Sequence, residues 1–320
     1  MYNRRKGINP IVLIFIFALV AVCLTLVVLL VLGYRYKTTD KGYTFFGKVE
    51  NGQPVTGTIR LPNGLTAELD YFSDTIRYSN GDVYTGDIED IYRHGSGVMN
   101  FNTTGDVYEG AFSEDTLTGY GKYYYANGDI YEGYLSNGSK EGTGIYTWAS
   151  WTDDSKQERE VTAVYDGAFR NGLANGNGVF EWKTDGSRYE GSFVDGVKEG
   201  SGKFYFSNGD YYEGGFSDDK RSGSGYYRWT NGETYTGNFI NNYMDTRTVN
   251  TDGSFITNAD GSFVHGSKAT YTWPDGRTYT GYFENGRIIV VDDTDVPDIS
   301  DPEDQPDTSD DGTDTSAAAE

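Results

Sequence analysis

Residues 189–212 read YEGSFVDGVKEGSGKFYFSNGDYY. Successive side chains of a strand point to opposite sides, so Tyr189, Gly191 and Phe193 share one face of a first strand. Gly200, Gly202, Phe204 and Phe206 alternate in the same way on a second strand. Asp195-Gly196 opens a loop between the two, and Asn208-Gly209 is a strong hairpin signal at the far end. A period of two held this strictly excludes a helix. Pairing the strands antiparallel across a six-residue loop sets Phe193 against Gly200, Gly191 against Gly202 and Tyr189 against Phe204. Across a three-residue Asn-Gly-Asp turn, Phe204 then faces Gly214 and Gly202 faces Phe216. Glycine weakens a strand interior, but here each gap can be covered by a neighbouring ring.

The phrase recurs along the chain. It is YTGDI at Tyr84, YEGAF at Tyr108, YEGYL at Tyr131, YDGAF at Tyr165, YEGGF at Tyr212, YTGNF at Tyr235 and YTGYF at Tyr279. Most starts lie 23 or 24 residues apart. A fixed period in this range means an array of like units, whose extended faces suit binding better than pocket chemistry. The composition agrees: 43 Gly, 28 Tyr and 17 Phe in 320 residues indicate many short strands and turns. In some units the step from the last aromatic to the next Tyr is seven instead of six, as from Phe101 to Tyr108, which predicts bulges.

The combined pattern Y-x-G-x-F-x-[ND]-G-x3-G-x-G-x-aromatic-x-aromatic resembles the MORN repeat, over nearly all of residues 84–239. The resemblance implies an all-β fold: an elongated single-layer antiparallel sheet of β-hairpin repeats, two strands each, rolled into a shallow groove. It also implies binding of proteins, and lipid contact has been proposed for such arrays.

Weaker units flank the regular ones. Phe45, Gly47, Val49 and Asn51-Gly52 fit a first strand, with Gly57, Ile59 and Leu61 as its partner, while residues 67–81 keep little of the pattern. After Tyr235 the expected second strand (Thr246, Thr248, Asn250) has lost glycine and aromatic alike. A degenerate unit then starts at Ile256 and ends in Ser267, Ala269, Tyr271 and Trp273, where small residues stand for the two glycines. From Trp148 to Tyr165 the spacing is 17 instead of six or seven, which predicts an extended hairpin or a protruding loop. It is tipped by Asp153, Asp154, Lys156, Glu158, Arg159 and Glu160.

Ile11–Leu32 is apolar but for Thr25, and as a helix it spans about 33 Å, enough to cross the hydrocarbon core of a bilayer. It is longer than a signal-peptide core and no A-x-A-like site follows it, so it reads as an uncleaved anchor. Arg4, Arg5 and Lys6 precede it, and Arg35, Lys37 and Lys41 follow it. This near-tie, tipped by the short N-terminal tail, places the N-terminus inside. The expectation is a single-pass plasma-membrane protein with extracytoplasmic repeats, of bacterial origin. Tyr34 and Tyr36 fit an interfacial belt. The expected order is a basic tail (1–10), a transmembrane helix (11–33), a linker with degenerate repeats (34–83), regular repeats with an insertion at 149–162 (84–240), degenerate repeats (241–291) and a disordered acidic tail (292–320).

The net charge is −22, and the chain after Val291 holds twelve carboxylates and no Lys or Arg. Such a balance argues against nucleic acid and against docking of the repeat face on anionic lipid. His94 and His265 lie about 170 residues apart in different units and read as solvated loop residues. Cys23, the one cysteine, sits in the apolar run. With no P-loop, nucleophile elbow or zinc-spaced cluster, no cofactor, metal or catalytic residue is expected and the chain reads as a non-enzyme. Glu109, Glu132, Asp166, Glu190 and Glu213 form a row on the face away from the rings, a solvated ridge or a strip for a basic partner. Asp82, Asp106, Asp129 and Asp210 follow turn glycines, as turn formers or weak calcium ligands. The candidate binding face is aromatic: Tyr131, Tyr146, Trp148, Tyr165, Trp182, Tyr189, Phe204, Phe206, Tyr212, Tyr227 and Trp229. A protein partner is expected there, with a cell-wall glycan as the alternative.

Overall fold

The computed structural model describes residues 9–152, 156 and 158–289. The tail before Asn9, Asp153 and Asp154 of the insertion, and the acidic tail 292–320 lie outside the described residues. The chain begins with helix α1, Pro10–Val31. Asn9 caps it, its side chain accepting from Ile11 N at 3.0 Å, and Pro10 occupies the first turn, where a missing N–H costs nothing. Thr25 satisfies its hydroxyl on the Ala21 carbonyl at 2.9 Å within the helix. Gly33 ends the helix with φ +89°, and the Arg35 guanidinium caps the Leu30 carbonyl at 2.8 Å. No residue of α1 is buried, and the helix is long and apolar enough to cross a membrane.

The chain divides into two compact units, residues 1–126 and 127–320. In the first, β1 (Tyr34–Thr38), β2 (Thr44–Glu50), β3 (Gln53–Arg60), β4 (Thr66–Asp70), β5 (Thr75–Tyr78), β6 (Val83–Glu89), β7 (Tyr92–Asn100), β8 (Val107–Ser113) and β9 (Thr116–Tyr124) each pair antiparallel with the next. Tyr34 and Tyr36, expected at a membrane interface, belong to β1 and lie opposite Lys48 and Phe46 of the sheet.

In the second unit the same succession runs through β10 (Ile130–Ser136), β11 (Ser139–Trp151), β12 (Arg159–Arg170), β13 (Leu173–Trp182), β14 (Arg188–Val194), β15 (Val197–Tyr205), β16 (Tyr211–Ser217), β17 (Lys220–Arg228) and β18 (Thr234–Ile240). The insertion is an extended hairpin: β11 and β12 continue the ladder past Trp148–Ala163 to Trp151–Arg159. After β18 the pattern breaks. The short β19 (Tyr243–Met244) pairs with the end of β18, while β20 (Ala269–Thr272) pairs with its beginning. Strands β21 (Thr278–Glu284) and β22 (Arg287–Ile289) follow. Residues 245–268 make only isolated bridges, Arg247–His265, Val249–Phe255 and Thr257–Phe263. The second strand expected at Thr246–Asn250 and the first half of the unit expected from Ile256 are therefore not strands of the sheet, whereas the end of that unit, with Ala269 and Tyr271, is strand β20. Without the glycine and the aromatic, the segment before β20 has nothing to seat it on the ladder.

The register differs from the expected one at two points. Asp195-Gly196 is a two-residue turn, not part of a six-residue loop: Val194 pairs with Val197, and both turn residues have positive φ, +48° and +93°. That is the type I′ geometry whose twist matches a hairpin. Phe193 then pairs with Lys198 instead of Gly200, because β15 bulges between Lys198 and Gly202. Gly200 sits in the bulge at φ +82°, a conformation that disfavours a side chain. The bulge therefore recurs within every regular hairpin, at the first glycine of G-x-G. Across the next turn Gly202 faces Gly214 instead of Phe216, Phe204 faces Tyr212, and Gly200 faces Phe216. The glycines form one row through this part of the sheet: Gly191, Gly202, Gly214, Gly225 and Gly237 pair in succession.

A ring fills that row. A Cβ on Gly202 would lie 2.4 Å from Cε2 of Tyr189, and one on Gly191 would lie 2.4 Å from the same tyrosine's hydroxyl. Tyr189 thus lies over both glycines and has no exposed surface. Its hydroxyl donates to the Ser192 carbonyl at 3.0 Å, beside the bulge where the ladder is interrupted. Tyr108, Tyr165, Tyr212 and Tyr235 repeat the bond, each to the carbonyl three residues on, at 2.8–3.1 Å.

Candidate binding surface

The rings of the second unit are arranged in two interlocking rows. In one, each repeat tyrosine meets two phenylalanines edge to face: Tyr189 lies 5.1 Å from Phe193 and 5.0 Å from Phe216, at 88° and 82°. Tyr212 and Tyr165 do the same with their own pairs. Such contacts add about 0.5–1.5 kcal/mol each beyond the area they bury. The other row is a chain of tilted contacts from Tyr146 through Trp148, Phe180, Trp182 and Phe204 to Phe206, then Tyr227 and Trp229.

Of the eleven rings expected on the binding face, nine are buried: Tyr131, Tyr146, Tyr165, Trp182, Tyr189, Phe204, Tyr212, Tyr227 and Trp229. Trp148 and Phe206 are half-buried. The rings are brought together on one face, but they pack mainly on one another. Trp182 buries its indole N–H with no acceptor among the described residues, which costs roughly 1–3 kcal/mol.

Basic residues absent from the expected site lie among the rings of each unit: Lys140, Lys198 and Arg221 in the second, and Arg93 against Tyr78 and Phe112 in the first. Each stands two residues before the bulge glycine: Arg93, Lys140, Lys198 and Arg221. Lys198 is 2% exposed and its ammonium lies 5.3–5.8 Å from the ring centres of Trp182, Tyr189 and Phe204. Burying a charge this far requires a partner. The next hairpin turn supplies it: Asp219 lies 3.6 Å from the ammonium and accepts from Lys198 N at 2.9 Å. Asp115 does the same for Arg93 at 3.1 Å, and Asn242 for Arg221, accepting from its main-chain N–H at 2.8 Å and from its guanidinium through the Asn242 carbonyl at 2.9 Å.

Lys140 departs from this rule. The corresponding turn is Asn171-Gly172, and Gly172 N donates to the Lys140 carbonyl at 3.0 Å in the place where the other turns carry Asp or Asn. Lys140 lies 4.3 Å from the ring centre of Tyr146 and within 6.0 Å of Tyr131 and Phe169. Among the described residues it makes no ion pair, and burial pushes its ammonium below the ordinary lysine range, against the opposing pull of the Asp129 carboxylate. The signal was present in the sequence as a basic residue at one repeat position and a missing carboxylate at another.

The turn aspartates lock neighbouring hairpins together. Asp210 accepts from Thr230 N and from the Tyr227 hydroxyl, each at 2.9 Å, and Asp129 accepts from Ala149 N at 2.7 Å and Tyr146 at 3.0 Å. Asp106 repeats both bonds and Asp82 the first, to Asn102 N. These carboxylates are taken up by N–H and O–H donors, as turn formers are. His265, expected in solvent, is instead mostly enclosed, with Nδ1 2.9 Å from the Thr246 hydroxyl and Nε2 3.1 Å from Glu284. His94 lies 3.2 Å from Glu89. Of the acidic row, Glu109, Asp166, Glu190 and Glu213 are exposed and Glu132 is half-buried. Lys203 stands between Glu190 and Glu213 in the ladder, 3.6 Å from the latter, so the row is not uniformly negative.

The recurring unit is now defined: a tyrosine over a glycine pair, a type I′ turn, a bulge glycine and an aspartate clasp. No curated protein matches the chain. Among solved structures, the TCP10 domain of Danio rerio CPAP, in complex with a peptide of Danio rerio STIL, aligns at 12% identity over 78% of this chain and 98% of that one, with a TM-score of 0.34. The Drosophila melanogaster SAS-4 TCP domain, in complex with a proline-rich motif of Ana2, aligns at 12% over 78% and 90%, with a TM-score of 0.21. Scores this low establish no shared fold. The MORN repeat signature matches six segments, residues 84–103, 108–130, 131–153, 165–187, 189–211 and 212–234. Residues 84–234 of this chain thus carry six MORN repeats.

Proposed function

We propose that the chain is a membrane-anchored, non-enzymatic scaffold that captures a protein partner on its repeat sheet. The observation that carries this reading is the pair of Trp148 and Lys140 on strand β11. There, half-buried Trp148 and the ammonium of Lys140, which lacks the turn carboxylate that Lys198 and Arg93 have, lie on the ring-bearing face. A partner offering a carboxylate beside an apolar side chain complements them, since pairing a desolvated ammonium recovers what its burial costs. The unburied helix α1 supports the anchoring role. With the N-terminus cytoplasmic, the repeats work outside the cytoplasm.

Crosslinking on native membranes, with the crosslinked residues mapped, tests this. The expected result is one protein crosslinked within residues 131–182, its yield falling in both Trp148→Ala and Lys140→Gln. Each change removes about 1–3 kcal/mol from the contact. Capture that survives both changes but is lost on removing residues 292–320 overturns the reading and moves the function to the acidic tail.

A further inference from the structure

The break in the array after β18 leaves a cavity on the opposite face of the second unit from the rings. Residues 245–268 leave the ladder and arch back before β20 rejoins it, and residues 246–249 and 266–268 border an open recess of about 870 Å³ against the outer face of β17 and β18. This volume lies within the range of small-molecule sites.

The arch is firmly held. Arg247 is buried, paired with Asp245, stacked on Phe255 at 3.7 Å and bonded to Asn285 at 2.8 Å. Thr246 donates to the Phe283 carbonyl at 3.1 Å and Asn238 to the Asp245 carbonyl at 2.8 Å. The walls mix carbon and hydroxyl surface. Tyr226, Ile240 and Val249 contribute the carbon, and Ser222, Ser224, Thr236 and Ser267 the hydroxyls. Among the described residues those four hydroxyls and that of Tyr226 make no hydrogen bond to protein. The lining has no carboxylate, and its one charge without an ion pair is Lys268, whose ammonium lies 5.7 Å from the Tyr282 ring centre.

A ligand for this site has to be amphipathic on the scale of a single ring. It needs a C–H face for Tyr226 and a rim of hydroxyls for the serines and threonines. The absence of carboxylates from the lining gives a cation nothing to bind, and a chain of net charge −22 disfavours an anion held by one exposed lysine. We infer that this cavity binds a short segment of a neutral sugar chain, with Tyr226 stacking on a pyranose face and Ser222, Ser224, Thr236 and Ser267 exchanging hydrogen bonds with its hydroxyls.

The test uses the full chain in micelles of a detergent without a sugar headgroup, titrated with maltotetraose, cellotetraose and tetra-N-acetylchitotetraose. Ligand-observed NMR and calorimetry provide the readout. At least one tetrasaccharide is expected to saturate, with Kd of about 1 mM or tighter. Tyr226→Ala should weaken it at least tenfold. Ser224→Trp, an exposed position that tolerates a larger side chain and fills the cavity, should abolish it, while Trp148→Ala leaves it unchanged. Circular dichroism establishes that the variants fold. Failure of all three sugars to saturate overturns the inference, as does binding that survives both cavity variants or is lost in Trp148→Ala. Because partner capture is assigned to the opposite face, the cavity variants leave it intact, and the two readings stand or fall separately.

Discussion

Gly202 shows the logic of the array at a single atom. Its missing Cβ is the space that the Tyr189 ring occupies together with that of Gly191, while Gly214, its partner on the other side, opens to the Tyr212 ring. Gly202→Val should lower stability by about 3 kcal/mol, since a branched side chain cannot share that volume with a ring held by the Ser192 carbonyl. Lys203→Val, one residue on and facing solvent, should change it by less than about 0.5 kcal/mol. Urea unfolding followed by tyrosine fluorescence compares the two, and equal effects would refute the assignment of faces. The repeat tyrosines also set the alkaline limit. Burial holds the phenols of Tyr165, Tyr189, Tyr212 and Tyr235 well above their ordinary value, which is about 10 in an unfolded chain. Above that pH the unfolded state has lost protons that the folded state keeps, so stability falls as pH rises. Below it the contribution is complete. The urea midpoint should therefore drop between about pH 10 and 12, together with the absorbance change of tyrosine ionisation; a flat midpoint would count against buried phenols.

Among the elements, the hairpin turn has a second task beyond reversing the chain. Its second residue faces the basic position of the preceding hairpin, as Asp219 does for Lys198 and Asp115 for Arg93. Where that residue is Gly172, the ammonium of Lys140 lies over aromatic rings and feels only the more distant carboxylate of Asp129. Burial lowers the Lys140 pKa, so the ammonium opposes folding below its folded value, and the cost disappears as pH rises through that value towards the lysine norm. Gly172→Asp should reverse this. The position already has φ +88°, close to the +65° of Asp219, and a Cβ there meets nothing within 4 Å. NMR of the lysine side chain should show the Lys140 pKa rising in Gly172→Asp while net stability moves by no more than about 1 kcal/mol. A pKa that stays put would mean that the turn carboxylate does not reach the ammonium.

For the whole molecule, the sharpest question is the side of the membrane on which the repeats lie. Protease added to intact cells is expected to remove the array and leave a fragment ending near Lys41. Protection until lysis would place the repeats in the cytoplasm. The sequence by itself determined the strands, the apolar helix and the repeat family. All three rest on local rules: the period of two, the length of an apolar run, and the glycine and Asn/Asp positions that only a turn or bulge requires. Tyr189, Gly191 and Gly202 were legible as one face for that reason. Only the tertiary structure decided the register, since the two-residue turn at Asp195-Gly196 and the bulge at Gly200 together displace Phe193 from Gly200 to Lys198 without disturbing the alternation that the sequence displays. It alone decided that most of the rings are interior, because burial depends on strands one and two repeats away. It also decided that the Gly172 turn stands against buried Lys140, and that residues 245–268 border a recess. Both follow from contacts between residues some 20 to 40 positions apart.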